Sequence, residues 1–168
     1  MTALLRPLLA AAVFTLLGGS PAHCGEPSFS LTISLAQDTA KAGSEVTVKI
    51  VLKNITDHEI RIGGIRRTLP ADDVVPANCR AIVTDAKGAP APYTKYGERM
   101  WSHPLEEGVN GTGIFGPMEA GGQGAFDLVL SRLYDLSKPG KYTIEVKYPD
   151  YDNEVIVRSN KIVLTITE

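Results

Sequence analysis

Ala125-Phe126-Asp127-Leu128-Val129-Leu130, Lys141-Tyr142-Thr143-Ile144-Glu145-Val146-Lys147-Tyr148 and Lys161-Ile162-Val163-Leu164-Thr165-Ile166 are three stretches in which an apolar residue returns at every second position. The sets are Phe126/Leu128/Leu130, Tyr142/Ile144/Val146/Tyr148 and Ile162/Leu164/Ile166. Side chains of an extended strand alternate between its two faces, so this spacing turns one face to a core and the other to water. Three such runs separated by polar turns predict the closing strands of an all-β antiparallel sandwich.

The same alternation opens the domain. Residues 28–36 carry Phe29, Leu31, Ile33 and Leu35, and residues 45–55 carry Val46, Val48, Ile50 and Leu52 opposite Thr47, Lys49 and Val51. Residues 38–44 between them read as a turn, and a shorter strand is expected near residues 59–62. The middle is less regular. Residues 63–78 hold Gly63-Gly64, two prolines and a pair of acids and read mostly as loop. Residues 80–85 read as a strand that ends in a hairpin turn at Asp85-Ala86-Lys87-Gly88, where glycine permits positive φ. Pro90 and Pro92 interrupt the poor strand after that turn, and residues 96–124 are rich in glycine around Trp101, His103 and Phe115. A long irregular segment inside a compact domain is commonly a functional loop. No helix of ordinary length is expected, only a single turn closed by Leu128-Val129-Leu130 and Leu133-Tyr134.

The stretch Tyr134-Asp135-Leu136-Ser137-Lys138-Pro139-Gly140-Lys141-Tyr142-Thr143-Ile144-Glu145-Val146 resembles the E–F corner and F strand of immunoglobulin-like and fibronectin-III-like domains. Gly140-Lys141-Tyr142 stands where such folds place a tyrosine corner, its phenol bonded to backbone upstream. Ala42-Gly43-Ser44-Glu45-Val46-Thr47-Val48 is similar to the A–B turn and B strand of exported bacterial domains of this type, and Ser159-Asn160-Lys161-Ile162-Val163-Leu164 to their last strand. The resemblance implies a single immunoglobulin-like sandwich of about seven strands with a long irregular central loop region. It carries no catalytic residues and leaves the middle of the chain uncovered.

Residues 1–22 read as a secretory signal. Arg6 is the positive start, Leu8 to Leu17 the apolar stretch, and Ser20-Pro21-Ala22 the small-residue cleavage region before His23. The apolar stretch is shorter than the ~20 residues a membrane-spanning helix needs. The expectation is therefore an exported, periplasmic or extracellular domain of residues 23–168 with no transmembrane segment. Losing Arg6 takes the formal charge from −2 to −3. Basic residues are interspersed with acids, which argues against a nucleic-acid partner. Cys24 and Cys79 are the two cysteines. In an exported protein they are expected to pair, a bridge worth about 4 kcal/mol on the chain-entropy model. The alternatives are two unpaired thiols, or a Cys24 lost with the leader or lipidated.

Candidate chemistry is sparse. Gly111-Thr112-Gly113-Ile114-Phe115-Gly116 matches a dinucleotide fingerprint but lacks the strand before and helix after that the pyrophosphate needs. Asp150, Asp152 and Glu154 alternate in an acidic turn, but an EF-hand's sixth-place glycine and twelfth-place glutamate are Val155 and Lys161 here, so a solvated hairpin is expected. No nucleophile elbow or zinc motif occurs, and no catalytic residues are assigned. Asn54-Ile55-Thr56 and Asn110-Gly111-Thr112 are glycosylation acceptors only in a eukaryotic secretory pathway. The leading expectation is a non-enzymatic binding or structural module without cofactor, contacting a protein or glycan through Tyr93, Tyr96, Trp101 and His103. One alternative is a copper site at His23, whose amine and imidazole with His103 or His58 would resemble the histidine brace of lytic polysaccharide monooxygenases. The other is a secreted protease inhibitor acting through an exposed loop.

Overall fold

The structure, a computed structural model, describes residues 25–68, 73–76, 79–101 and 114–168. In chain order the elements are β1 (Phe29–Leu35), β2 (Thr39–Lys41), β3 (Thr47–Asn54), β4 (Ile60–Thr68), β5 (Asp73–Pro76), β6 (Arg80–Asp85), α1 (Lys95–Met100), β7 (Ile114–Met118), β8 (Gln123–Val129), α2 (Leu130–Leu133), β9 (Gly140–Asp150), β10 (Val155–Arg158) and β11 (Ile162–Thr167). One sheet has the order β1-β3-β8, all antiparallel. The second is built on β9, which pairs with β6 along one edge and with β11 and then β10 along the other. Its far edge is β2, parallel to β11. A third, smaller sheet has the order β5-β4-β7. The chain is an all-β sandwich, and no helix among the described residues is long and apolar enough to cross a membrane.

The alternating residues meet as expected. Val48, Ile50 and Leu128 from the first sheet and Ile144, Val146 and Leu164 from the second are fully buried in one core. Phe29 meets Tyr148 edge-on with ring centroids 5.6 Å apart, the arrangement the ring quadrupoles favour. Where β10 gives way to β11, Ser159 keeps the ladder whole: its N–H donates to the Val146 carbonyl at 2.9 Å and its hydroxyl accepts from the Val146 N–H at 2.8 Å. The tyrosine corner is present, with the Tyr142 phenol donating to the Lys138 carbonyl at 2.9 Å. The Gly88 turn is present too, at φ 81°, and α2 is the single helical turn expected.

The middle departs from the sequence reading. Residues 63–78, read mostly as loop, contain most of β4 and all of β5, paired from Ile65 with Pro76 to Thr68 with Asp73. Gly63-Gly64 does not end the strand. It sits where the β4–β7 register shifts between Ile62 and Ile65, an irregularity glycine accommodates, and Gly63 accepts a hydrogen bond from the buried Tyr148 phenol. Pro117 is tolerated in β7 because β7 lies at its sheet's edge. Ile114–Gly116, the end of the glycine-patterned hexapeptide, therefore belongs to a strand. Residues 38–44 are likewise more than a turn, since β2 crosses to the second sheet. Eleven strands among the described residues replace the seven expected, the surplus being short pieces such as β2, β5 and β7.

Candidate functional site

The segment before α1 is docked on α2 by backbone and cap. Thr94 caps the helix, its hydroxyl accepting from the Gly97 N–H at 3.0 Å and donating to the Arg132 carbonyl. The Thr94 N–H donates to the Leu133 carbonyl at 3.0 Å. Tyr93 and Tyr134 form an isolated antiparallel bridge. Gly97 lets α1 lie directly on α2, since a Cβ there would fall 2.1 Å from the Leu133 carbonyl oxygen.

This docking assembles three rings. Tyr93 lies on Tyr134 with centroids 4.9 Å apart and planes tilted by 36°. Trp101 meets Tyr134 at 5.6 Å and Tyr93 at 6.0 Å, nearly perpendicular. Arg80 places its guanidinium carbon 5.9 Å from the Trp101 ring centroid and donates to the Trp101 carbonyl at 3.2 Å. Tyr134 is the support of the cluster. It is buried, its phenol donates to the Ala81 carbonyl at 2.6 Å, and burial followed by the hydrogen bond with Tyr93 pushes its pKa well up, so it stays neutral.

Tyr93 is the exposed member, 42% accessible, and it forms part of the wall of an open groove of about 490 Å³. Glu45, Thr94, Ser131, Asp135 and Ser137 share that wall. Asp135 is held in place by the Ser137 N–H, which donates to its carboxylate at 3.1 Å. The Ser137 hydrogen bonds hold its carboxyl below the usual range, with a smaller contribution from Lys138. Ser131 accepts from the Val46 N–H at 3.1 Å. An exposed ring beside carboxylates and hydroxyls can hold a ligand by stacking and by hydrogen bonds.

Of the residues expected to bind, the structure brings Tyr93 and Trp101 together. Tyr96 is half-buried against the core instead, and His103 lies outside the described residues. Tyr134, read from sequence only as the start of the stretch that resembles an E–F corner, is the centre of the cluster. Its own residue type was the one available signal, because nothing local couples it to Tyr93. His23 and Cys24 also lie outside the described residues, and with them the copper brace and the expected bridge. Cys79 is a buried thiol, 1% accessible, and burial pushes its pKa up. His58 is exposed and pairs with Asp57 at 3.0 Å. The acidic turn is the hairpin expected, joining β9 to β10 with Asp152 and Glu154 exposed, but Asp150 at its base is buried and turned inward onto Ser28. No group of three potential metal ligands is found among the described residues.

No family model and no curated protein matches the chain. Among solved structures, the CARDB domain of PF1109 from Pyrococcus furiosus, in complex with di-metal ions, is similar at a TM-score of 0.42 and 10% identity, over 84% of this chain and 89% of that one. A β-glucosidase from Listeria innocua in complex with isofagomine is similar at 0.43 and 14% identity, over 83% of this chain and 16% of that one. The alkylpurine DNA glycosylase AlkC from Pseudomonas fluorescens, bound to DNA containing an abasic site analog, is similar at 0.42 and 8% identity, over 84% and 31%. These are distant likenesses, and no residue role passes from them to this chain.

Proposed function

We propose that this chain is a non-catalytic binding module whose contact surface is the groove beside Tyr93. The observation that carries the reading is one exposed tyrosine held by two further aromatic rings at the wall of a polar groove. Aromatic anchors fixed before binding lose little entropy on contact. Three neighbours fix the shape of the groove: Thr94 caps α1, Ser131 accepts from Val46, and Tyr134 donates to Ala81, while Glu45 and Asp135 present carboxylates on the same wall. Arrays of extracellular proteins and glycans probed with wild type, Tyr93→Ala and Tyr93→Phe test the proposal. A partner bound by wild type is expected to be lost in Tyr93→Ala and kept in Tyr93→Phe, with the alanine variant still unfolding cooperatively at a somewhat lower midpoint. Equal binding by wild type and Tyr93→Ala would remove the groove from the account.

The same proposal places the domain outside the cytoplasm, cut before His23 and closed by a bridge between Cys24 and Cys79. Two contacts support the bridge. Gly25 lies against Asn153 and Ser28 is bonded to Asp150. The described N-terminal segment therefore runs beside the end of β9, whose Lys147 pairs with Arg80, the residue next to Cys79. Intact mass of the exported protein, before and after reduction, is expected to show a chain beginning at His23 that takes up two hydrogens. A different first residue or an unchanged mass would overturn these two points.

A further inference from the structure

We infer that the ligand taken by the groove is an uncharged sugar unit of a glycan, stacked on the open side of Tyr93. The inference rests on the binding-module reading and adds the class of ligand to it. Charge is the first argument. None of the ten residues lining the groove is basic and two are acidic, Glu45 and Asp135, so an anionic ligand meets only like charge. A cationic ligand finds its aromatic partner already taken. The cation that an aromatic cluster attracts is already supplied by Arg80, over Trp101 at 5.9 Å. Its charge also reaches Tyr134, and the charge of Lys138 adds a small part to the lowering of the Asp135 carboxyl. The cation position of the aromatic cluster is thus already filled from within the chain, beside the groove and not in its wall.

An uncharged polyol suits what remains. A pyranose has an apolar C–H face for a tyrosine ring and hydroxyls around its rim. Carboxylates are acceptors that can take two such hydroxyls at once. Asp135 is oriented for this by the Ser137 N–H at 3.1 Å, and the hydroxyls of Ser131 and Ser137 lie on the same wall. Tyr93 is limited in rotation by Tyr134 and Trp101, so little freedom is lost when a ring stacks on it. A volume of about 490 Å³ falls in the range of small-ligand sites.

The experiment titrates the mature protein with uncharged pentasaccharides built from glucose, xylose, mannose or N-acetylglucosamine, and with hexalysine as the cationic probe. Calorimetry at low and high salt and the emission of the single tryptophan, Trp101, give the readouts. At least one sugar is expected to bind saturably with little salt dependence. Tyr93→Ala should weaken it about tenfold, the effect of losing one good anchor, and Glu45→Gln, an exposed change that leaves the fold intact, severalfold. Tyr93→Phe should retain binding. Saturable binding of no sugar overturns the inference. If hexalysine binds instead, in a salt-sensitive and Tyr93-dependent way, the sugar is wrong and the groove stands. If a sugar binds equally to wild type and Tyr93→Ala, both the inference and the groove are refuted.

Discussion

At the scale of single residues, Asn54 holds the junction of the first and third sheets. It is fully buried, and its amide nitrogen lies 2.8–2.9 Å from the carbonyl oxygens of His58, Met118 and Glu119. Its carbonyl accepts from the N–H and hydroxyl of Thr56 at 2.8 and 2.7 Å. In the folded protein that amide is therefore spent inward, although Asn54-Ile55-Thr56 reads as a glycan acceptor. Asn54→Asp keeps the shape but turns a buried carboxylate toward three carbonyl oxygens. It is expected to lower the unfolding free energy by about 3 kcal/mol, seen in urea as a lower midpoint with an unchanged slope. Tyr142→Phe removes only the corner bond to Lys138 and should cost about 1 kcal/mol. A loss as small as that for Asn54→Asp would mean that the junction is held by packing.

At the scale of elements, the contact between α1 and α2 sets the aromatic cluster. Gly97→Ala in an exposed helix would stabilise by about 1 kcal/mol. Here the new Cβ would meet Leu133 backbone at 2.1 Å from its oxygen and 2.9 Å from its carbonyl carbon, and backbone cannot swing aside as a side chain can. The expected result is the opposite sign, a loss of about 2 kcal/mol, with a shift in Trp101 emission as the rings separate. A stabilised variant with unchanged emission would show that the helices are not in contact. The same elements show what can be read from sequence. Strands β1, β3, β6, β9 and β11 are legible because each has its own period and packs both neighbours on one core. The start of β4 near residues 59–62 is legible too, but its continuation past Ile62, β5 and β7 are not, because their pairing is non-local and their glycines and prolines are tolerated by an irregular register and a sheet edge. Likewise Tyr93 and Trp101 can be picked out by residue type, whereas Tyr134 joins them only through a bridge between distant segments.

At the scale of the whole molecule, β1 is an edge strand, paired with β3 on one side and held on the other by two side chains from the far end of the sequence. The Asn160 amide accepts from the Ile33 N–H at 2.8 Å and donates to the Ile33 carbonyl at 3.0 Å, standing in for a neighbouring strand. Asp150 accepts from the N–H and hydroxyl of Ser28, both at 2.7 Å, and from the Asn153 amide at 3.1 Å. Burial alone would raise this carboxyl. The hydrogen bonds from Ser28 and Asn153 outweigh it and leave the pKa below its ordinary value. A carboxyl lowered on folding contributes stability that is complete above the unfolded pKa, about 3.9, and is lost as pH falls through the folded one. Unfolding free energy should therefore be level from neutral pH to about 5 and fall below about 4. Asp150→Asn gives up the charged bonds, so it should be less stable at neutral pH and decline less steeply in acid. Asp57 and Asp135 are also lowered, but they are exposed, weak contributors present in both proteins, and the difference between the two curves isolates Asp150. Loss of this clamp frees the N-terminal end of an edge strand, the part of a sheet that templates pairing with another chain. Light scattering should accordingly rise in wild type over the same acid range and in Asp150→Asn already at neutral pH. Parallel acid curves and equal scattering would show that β1 is held without the charge of Asp150.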